Sequence, residues 1–509
     1  MTPTSYSTIR TGPSRATVRV KFEYSYQPYS SIEIDLEMMG MGMLRVMKFG
    51  GTSVGTAAAI GRTVEILDEG RAGGAAQVAV VSAMGGVTNM LLAEAASAAG
   101  GDREAAGRLC NGLRERHFAA VDELVGTGER GERTRAAIDE LCQRGERLLE
   151  SVYVLRDLST RSSDLIVSFG ERMSSVVVAA ALEARGVPAL NVDSDRVIVT
   201  DDSFGAANPF LDETRLQAED VLRPLLDAGT LPVVTGFFGA SRSGATTTLG
   251  RSGSDYSASI IGNALQADEI VIWTDVDGVM TADPRLVPDA RTLPAISFSE
   301  ATELAYFGAK VIHARTMQPA AALSIPIWIK NTFNKDHPGT RIGPDAVKNG
   351  AVKGITSISN VSVVTVEGSG FLGVASVTSR VFGAIGRAGI NVYMISQASS
   401  QHSLSFLVPN ADGPHALQVL EQELELELHR QTILSISLNP DLAAIAVVGA
   451  GMRGTPGVAG NVFQTLGNNR INIVAIAQGS SELNISCVIS MSDLERAVPA
   501  LHQAFNLGK

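Results

Sequence analysis

From Leu44 to about Ile342 the chain repeats one pattern: a short apolar, β-branched run, then a longer stretch of helical character. The runs include "LRVMKFG", "AAQVAVVSA", "DLIVSFG", "PALNVDSDRVIVT", "LPVVTGFFGA", "DEIVIWTDV" and "IPIWIKNT". Many are apolar throughout instead of alternating, as strands read when both faces of their sheet are covered. Helical stretches between them imply βαβ crossovers, so the expected fold is α/β, a mostly parallel sheet between two helical layers. Sheets of this kind bind ligands at the carboxyl ends of their strands. Several runs end in glycine or hydroxyl-rich text, "KFGGTS", "VSAMGG", "SFGE", "TGFFGA" and "WTDVDG", and a site is expected along that rim. The 51 glycines beside only 5% aromatic residues fit the many tight strand-to-helix turns such a fold needs.

After "KDHPGTRIGPDAVKNG", a linker rich in Gly, Pro and charge, the pattern changes. "AGINVYMISQASSQHSLSFLV" and "NRINIVAIAQGSSELNISCVI" are copies offset by 81 residues, with Ile390 over Ile471 and Gln397 over Gln478. Each copy reads strand, helix, strand, strand, helix, a unit of the split-βαβ type. The first continues into another strand, "TILSISL", and the second has none left to supply. The run "AVKGITSIS" ahead of the first copy is therefore expected to complete the sheet of the second, nesting one small domain in the other. The expected division is 1–43 extension, 44–343 α/β domain, 344–359 linker plus completing strand, 360–438 first small domain and 439–509 second.

A net charge of −11 argues against a nucleic-acid partner or a basic membrane-surface protein. Three cysteines, Cys110, Cys142 and Cys487, are widely spaced and show no metal pattern, which suits a reducing cytoplasm. No stretch approaches about 18 consecutive apolar residues, so no membrane span is expected. Residues 1 to 22 lack an acid, the composition of a transit peptide. Met38, Met39, Met41, Met43 and Met47 crowd the first strand, which fits instead a start assigned too far upstream or a disordered extension.

"VMKFGGTSVG" places Lys48 before its glycines, so it is no P-loop, where lysine follows them. Lys48 at a strand end, with the backbone of Gly50, Gly51, Thr52 and Ser53 beside it ahead of a helix, can form an anion site. The same residues also make an ordinary turn. "SFGERMSS" sets Glu171 and Arg172 just past a strand end, where a carboxylate also suits a helix N-terminus. "TLGRSGSDYSAS" gathers Arg251, Ser252, Ser254, Asp255 and Ser257 around two glycines before an apolar helix. An N-cap accounts for one of these residues but not for the arginine. "WTDVDGVMTADPR" has a D-x-D-G yet lacks the glutamate of a calcium loop and follows a strand. "ELAYFGAKVIHARTM" carries Lys310 and His313 on an expected helix.

In this order, "KFGGTSVG", "GVTNMLL", "SFGERMSS", "TLGRSGSDYSAS", "WTDVDGVMTADPR" and "FGAKVIHART" resemble aspartate kinase, of the amino acid kinase fold. The paired repeats resemble its ferredoxin-like ACT regulatory domains (βαββαβ). The resemblance spans roughly Arg45 to Phe505 and is strongest to the kinase half of bifunctional aspartate kinase–homoserine dehydrogenase proteins.

That resemblance implies transfer of the γ-phosphoryl of ATP, with Mg2+, to the side-chain carboxylate of L-aspartate. It makes Lys48 and Lys310 the phosphate-facing cations and Asp255 the aspartate that orients them. Arg251 would hold the α-carboxylate of aspartate and Glu171 its α-ammonium, with Thr88 and Ser254 as neutral helpers. Nucleotide contacts would come from Lys48, Gly50, Gly51, Thr52, Ser53, Ser82, Thr274, Asp275, Met280, Arg285 and Lys310. Met280 stands where many members have tyrosine, and Ala314 where proline is common. Gln397 and Gln478 would hold an amino-acid effector, threonine first and lysine second. ACT units pair edge to edge across chains, so a homodimer or larger assembly in the cytoplasm is expected. Two alternatives remain at this point: a glutamate or acetylglutamate kinase, and a catalytically inactive amino-acid sensor.

Overall fold

The computed structural model describes residues 5–10, 16–21, 31–35, 43–308, 312–344, 350–368, 374–397 and 403–508. Its largest element is an eight-stranded sheet. The strand order is Ala295–Ser297, Thr340–Gly343, Ile327–Asn331, Glu269–Thr274, Leu44–Phe49, Ala76–Val81, Leu231–Thr235 and Ala189–Val192. Neighbours run parallel except Ile327–Asn331 against Thr340–Gly343. The side-chain period of two explains both covered faces. Met47, Phe49, Ala79 and Val81 enter a core with the helices Ala57–Ala72, Val87–Gly100 and Thr160–Ala184. Val46, Val78, Val80 and Ile272 enter the opposite core, with the helices Gly253–Ala264 and Ala314–Ala322.

Two expected elements differ. "DLIVSFG" is not a strand but the middle of the Thr160–Ala184 helix. A short apolar run cannot distinguish a buried strand from a buried helix, and here the whole helix is sunk in protein. Thr160–Ala184 is long and apolar enough to cross a membrane by composition, yet 89% of its apolar window is buried inside the fold, so its apolarity is that of a core helix. The expected helix through "ELAYFGAKVIHARTM" is also interrupted. One helix, Phe298–Tyr306, ends before Gly308, whose φ of 108° suits only glycine. A second, Ala314–Ala322, starts with His313 as its cap, the ring accepting from the Arg315 N–H at 3.3 Å.

The C-terminal repeats share one antiparallel six-stranded sheet, ordered Met394–Gln397, Ser403–Pro409, Gly354–Gly368, Ile433–Val448, Asn484–Ser490 and Ala475–Ala477. Two strands run through both copies. Residues 361–367 of Gly354–Gly368 pair with Ser403–Pro409, while 354–358 pair with 444–448 in the second copy. Asn360 and Asp441, both at positive φ (57° and 59°), sit where the register slips between the two halves. The edge strands Met394–Gln397 and Ala475–Ala477 approach each other, with Ser396 Oγ donating to the Ile476 carbonyl at 3.3 Å. Near the N-terminus the strands Ser5–Arg10, Ala16–Lys21 and Ser31–Asp35 pair with one another in a separate antiparallel sheet.

Candidate active site

A cleft of about 620 Å3 opens along the carboxyl rim of the parallel sheet. Lys48, Ser82, Thr88, Glu171, Arg251, Ser254 and Asp255 all line it, from segments far apart along the chain. Lys48 reaches it from the end of Leu44–Phe49 and is only 8% exposed. Its Nζ lies 2.6 Å from Asp255 Oδ1, on the first turn of the Gly253–Ala264 helix. Charge neutralisation allows that lysine to sit so deep, because a lone buried ammonium would shed its proton. Arg251 is exposed at the rim and has no ion-pair partner among the described residues.

Two helix N-termini meet this cleft. Val87–Gly100 begins after Gly86, and Gly253–Ala264 begins after Ser252; neither start has a side-chain cap. The Val87 N–H donates to the Met84 carbonyl at 3.0 Å, and the other first-turn amides lack intrahelical acceptors and present partial positive charge to an anion. In the expected cradle at Gly50–Ser53 two groups are engaged elsewhere. There the Gly50 N–H donates to the Trp273 carbonyl at 3.1 Å, and the Ser53 hydroxyl is buried against Thr332 Oγ1 at 2.7 Å. The following helix starts only at Ala57, capped by Thr56. Gly51 does line the cleft, and Thr52 is exposed beside it. The glycine pair in "VSAMGGVTN" was the signal for the helix start missed by sequence reasoning.

The rim is built under strain. Phe237 (φ 76°) and Ser252 (φ 56°) both take left-handed backbone and both line the cleft, at about 1–2 kcal/mol each. Gly253, next to Ser252, lies tight against Phe237: a Cβ on it would stand 2.6 Å from the Phe237 ring. Asp164, unremarked in the sequence, anchors this region. Buried on the Thr160–Ala184 helix, it accepts from the N–H groups of Gly205 (2.8 Å) and Thr248 (2.9 Å) and from Thr248 Oγ1 (2.7 Å). Asp164→Asn turns an amide toward these donors and should destabilise the fold by roughly 3 kcal/mol, read by urea denaturation. Arg172 is likewise structural. It is ion-paired to Asp193 and, at 2.6 Å, to Asp195, with its guanidinium 4.7 Å from the Phe238 ring centroid.

Glu171 projects from the same helix and is 3% exposed. A Cβ on Gly170 would lie 2.8 Å from that of Ala83, so only glycine lets the helix pass this close to the strand end. The Ala83 N–H faces the Glu171 carboxylate and lowers its pKa, but burial dominates and pushes it up to about 8. Oε2 has no partner among the described residues.

The remaining expected residues stand along or outside the same rim. Thr274 ends its strand beside Asn331, and its hydroxyl bonds Asp275 at 3.2 Å. Met280 bridges to Thr292, and Arg285 is exposed and paired with Asp283 at 2.6 Å. Lys310 lies outside the described residues. Gln397 ends one edge strand of the C-terminal sheet and Gln478 follows the other, both exposed.

The profile of the Amino acid kinase family matches residues 43–331, and that of the ACT domain matches 364–424 and 445–505. A bifunctional aspartokinase/homoserine dehydrogenase of Haemophilus influenzae is 36% identical over 474 residues, 91% of this chain and 56% of that protein. A chloroplastic one of Daucus carota is 35% identical, covering 92% and 51%. The chain thus spans about half the length of these bifunctional relatives. The chloroplastic aspartokinase 3 of Arabidopsis thaliana is 35% identical, covering 90% of this chain and 81% of that one. Among solved structures, E. coli aspartokinase III in complex with aspartate and ADP superimposes with a TM-score of 0.76 at 30% identity, over 91% of this chain and all of the other. The same enzyme with lysine and aspartate gives 0.74 over 91% and 99%, also at 30% identity. With its sheet, its cleft and relatives that match along nine-tenths of its length, the chain belongs to the amino acid kinase family, among the aspartokinases.

Proposed function

We propose that this chain is an aspartate kinase, transferring the γ-phosphoryl of ATP to the β-carboxylate of L-aspartate in the first step toward lysine, threonine and methionine. The observation that carries this is the sign pattern of one cleft: the Lys48–Asp255 pair at its floor, exposed Arg251 at its rim and a buried Glu171 on its wall. An α-amino acid with an acidic side chain carries the complementary charges. Its α-carboxylate suits the planar fork of Arg251 and its ammonium suits Glu171. Its second carboxylate is then left for the phosphoryl group.

The chemistry needs no general base, since a carboxylate is already ionised at neutral pH. Its oxygen attacks the γ-phosphorus while the bridging oxygen leaves with ADP, giving 4-phospho-L-aspartate. The obstacle is repulsion between two anions, so positioning and fixed positive charge are what the protein supplies. Lys48 and the two uncapped helix starts provide that charge, with Lys310 as the second cation and Asp255 orienting the first. Mg2+ would come with the nucleotide, bridging its phosphate oxygens and offsetting their charge. Gln397 and Gln478 are the proposed contacts for a feedback effector, threonine before lysine, in a cytoplasmic homodimer or larger assembly.

Coupled ADP formation with aspartate, glutamate and N-acetylglutamate side by side tests the reading, with threonine and lysine added in turn. Aspartate alone should be phosphorylated. Equal turnover of glutamate, or threonine binding with no turnover of any substrate, would overturn it.

A further inference from the structure

A second cavity, of about 430 Å3, lies on the face of the parallel sheet opposite the Gly253–Ala264 helix, and the proposed reaction does not use it. Its floor is Met47, Val271, Trp273 and Trp328, from three neighbouring strands. One wall is the Ala57–Ala72 helix and the other is the segment that follows Ile327–Asn331. Lys335 ties the two walls together, 2.8 Å from Glu65 and 2.6 Å from Glu69. The size falls within the range of small-molecule sites, about 300–1,000 Å3.

The chain has only two tryptophans, and both are here. Trp273 is buried and lies parallel to the Phe49 ring, with centroids 6.2 Å apart. Its Nε1 is buried too, and no acceptor meets it among the described residues, a costly state for an N–H donor. Trp328 is half-buried. Lys330 places its Nζ 5.8 Å from the ring centroids of both.

Charge decides what fits. Arg45 is paired with Glu269 at 2.5 Å, Lys335 neutralises Glu69, and Asp336 is exposed to solvent, which screens it. Lys330 makes no ion pair among the described residues, and neither does Arg341, which stands across from Trp328 on the same face. A cation would reach the indole faces only by displacing the ammonium already there. A neutral ring would stack but leave Lys330 without a counter-charge. A planar aromatic anion meets both demands: its ring lies on the apolar floor, its carboxylate pairs with Lys330, and its oxygens offer the acceptor that Trp273 lacks.

We propose that this cavity binds a small aromatic carboxylate. The site backs onto the active cleft. The Trp273 carbonyl accepts from the Gly50 N–H at 3.1 Å, and its ring packs on Phe49, the residue after Lys48. An occupant therefore bears on the strand end that carries Lys48.

Titration calorimetry on the full chain tests this, with benzoate and 2-naphthoate as probes and benzylamine, benzyl alcohol and acetate as cationic, neutral and non-aromatic controls. Tryptophan emission locates the binding, because both tryptophans line this cavity. The two aromatic carboxylates should bind and benzoate should change the emission; the controls should do neither. Lys330→Gln should weaken benzoate about tenfold, and Trp328→Leu several-fold, with a thermal melt to verify that each variant is folded. No binding of either carboxylate, binding without a change in emission, equal binding of benzylamine, or unchanged affinity in folded Lys330→Gln would overturn the proposal. The measurement uses neither ATP nor aspartate: a chain that binds benzoate but does not phosphorylate aspartate sinks only the proposed reaction, and the reverse outcome sinks only this site.

Discussion

Replacing Lys48 by methionine should lower kcat by about 1,000-fold, the loss expected when one fixed charge facing a transition-state oxygen is removed. KM for aspartate should stay within about threefold, because Arg251 and Glu171 still hold the amino acid. Methionine keeps the apolar stem that crosses the sheet rim, so the cost falls on charge. It also leaves Asp255, 12% exposed, without its 2.6 Å partner. Stranding a buried carboxylate destabilises by about 3–5 kcal/mol, so the single variant should also melt earlier. The double variant Lys48→Met/Asp255→Asn separates the two effects. It should regain most of the lost stability and none of the lost turnover. A Lys48 variant that keeps kcat and loses only aspartate affinity would show that the lysine binds substrate and not the migrating phosphoryl.

How far the site was legible follows from what kind of interaction made each part. Residues with charged side chains stood out in the sequence: Lys48, Glu171, Arg251 and Asp255 are scattered along the chain yet line one cleft. The parts built from backbone were harder to read. The amide of Gly50 looks available in a string of letters, but only the neighbouring strand reveals that Trp273 takes it. The uncapped helix starts at Val87 and Gly253 leave no special side chain to notice, since what marks them is a missing cap. Burial hid the rest. "DLIVSFG" satisfied the pattern of a buried strand as well as that of a buried helix, and length decided only once its continuation to Ala184 was seen. Asp164 is one aspartate among many until Gly205 and Thr248 are folded against it. The nested ACT topology was legible from counting strands, because a copy that lacks one must borrow it.

Glu171→Gln should raise KM for aspartate about 100-fold while leaving kcat within a few-fold, since an amide cannot match the charge of a buried ammonium. The pH behaviour makes this prediction specific. Without substrate, burial holds the Glu171 carboxyl at about 8, against an ordinary value of 4.5. Between those values the folded chain keeps a proton that the unfolded chain has lost. Stability is therefore greatest below 4.5 and falls as pH rises toward 8, by up to about 1.4 kcal/mol per unit from this group. Aspartate reverses the balance, because its ammonium favours the ionised carboxylate. Binding below pH 8 must then release the proton, so KM for aspartate should fall as pH rises from 6 to 8. Both slopes come from one proton on one side chain, and glutamine has no such proton. Urea denaturation and initial rates across that range should both flatten in Glu171→Gln. If the stability slope disappears while the KM slope persists, the carboxylate is buried as inferred but some other group meets the ammonium of the substrate.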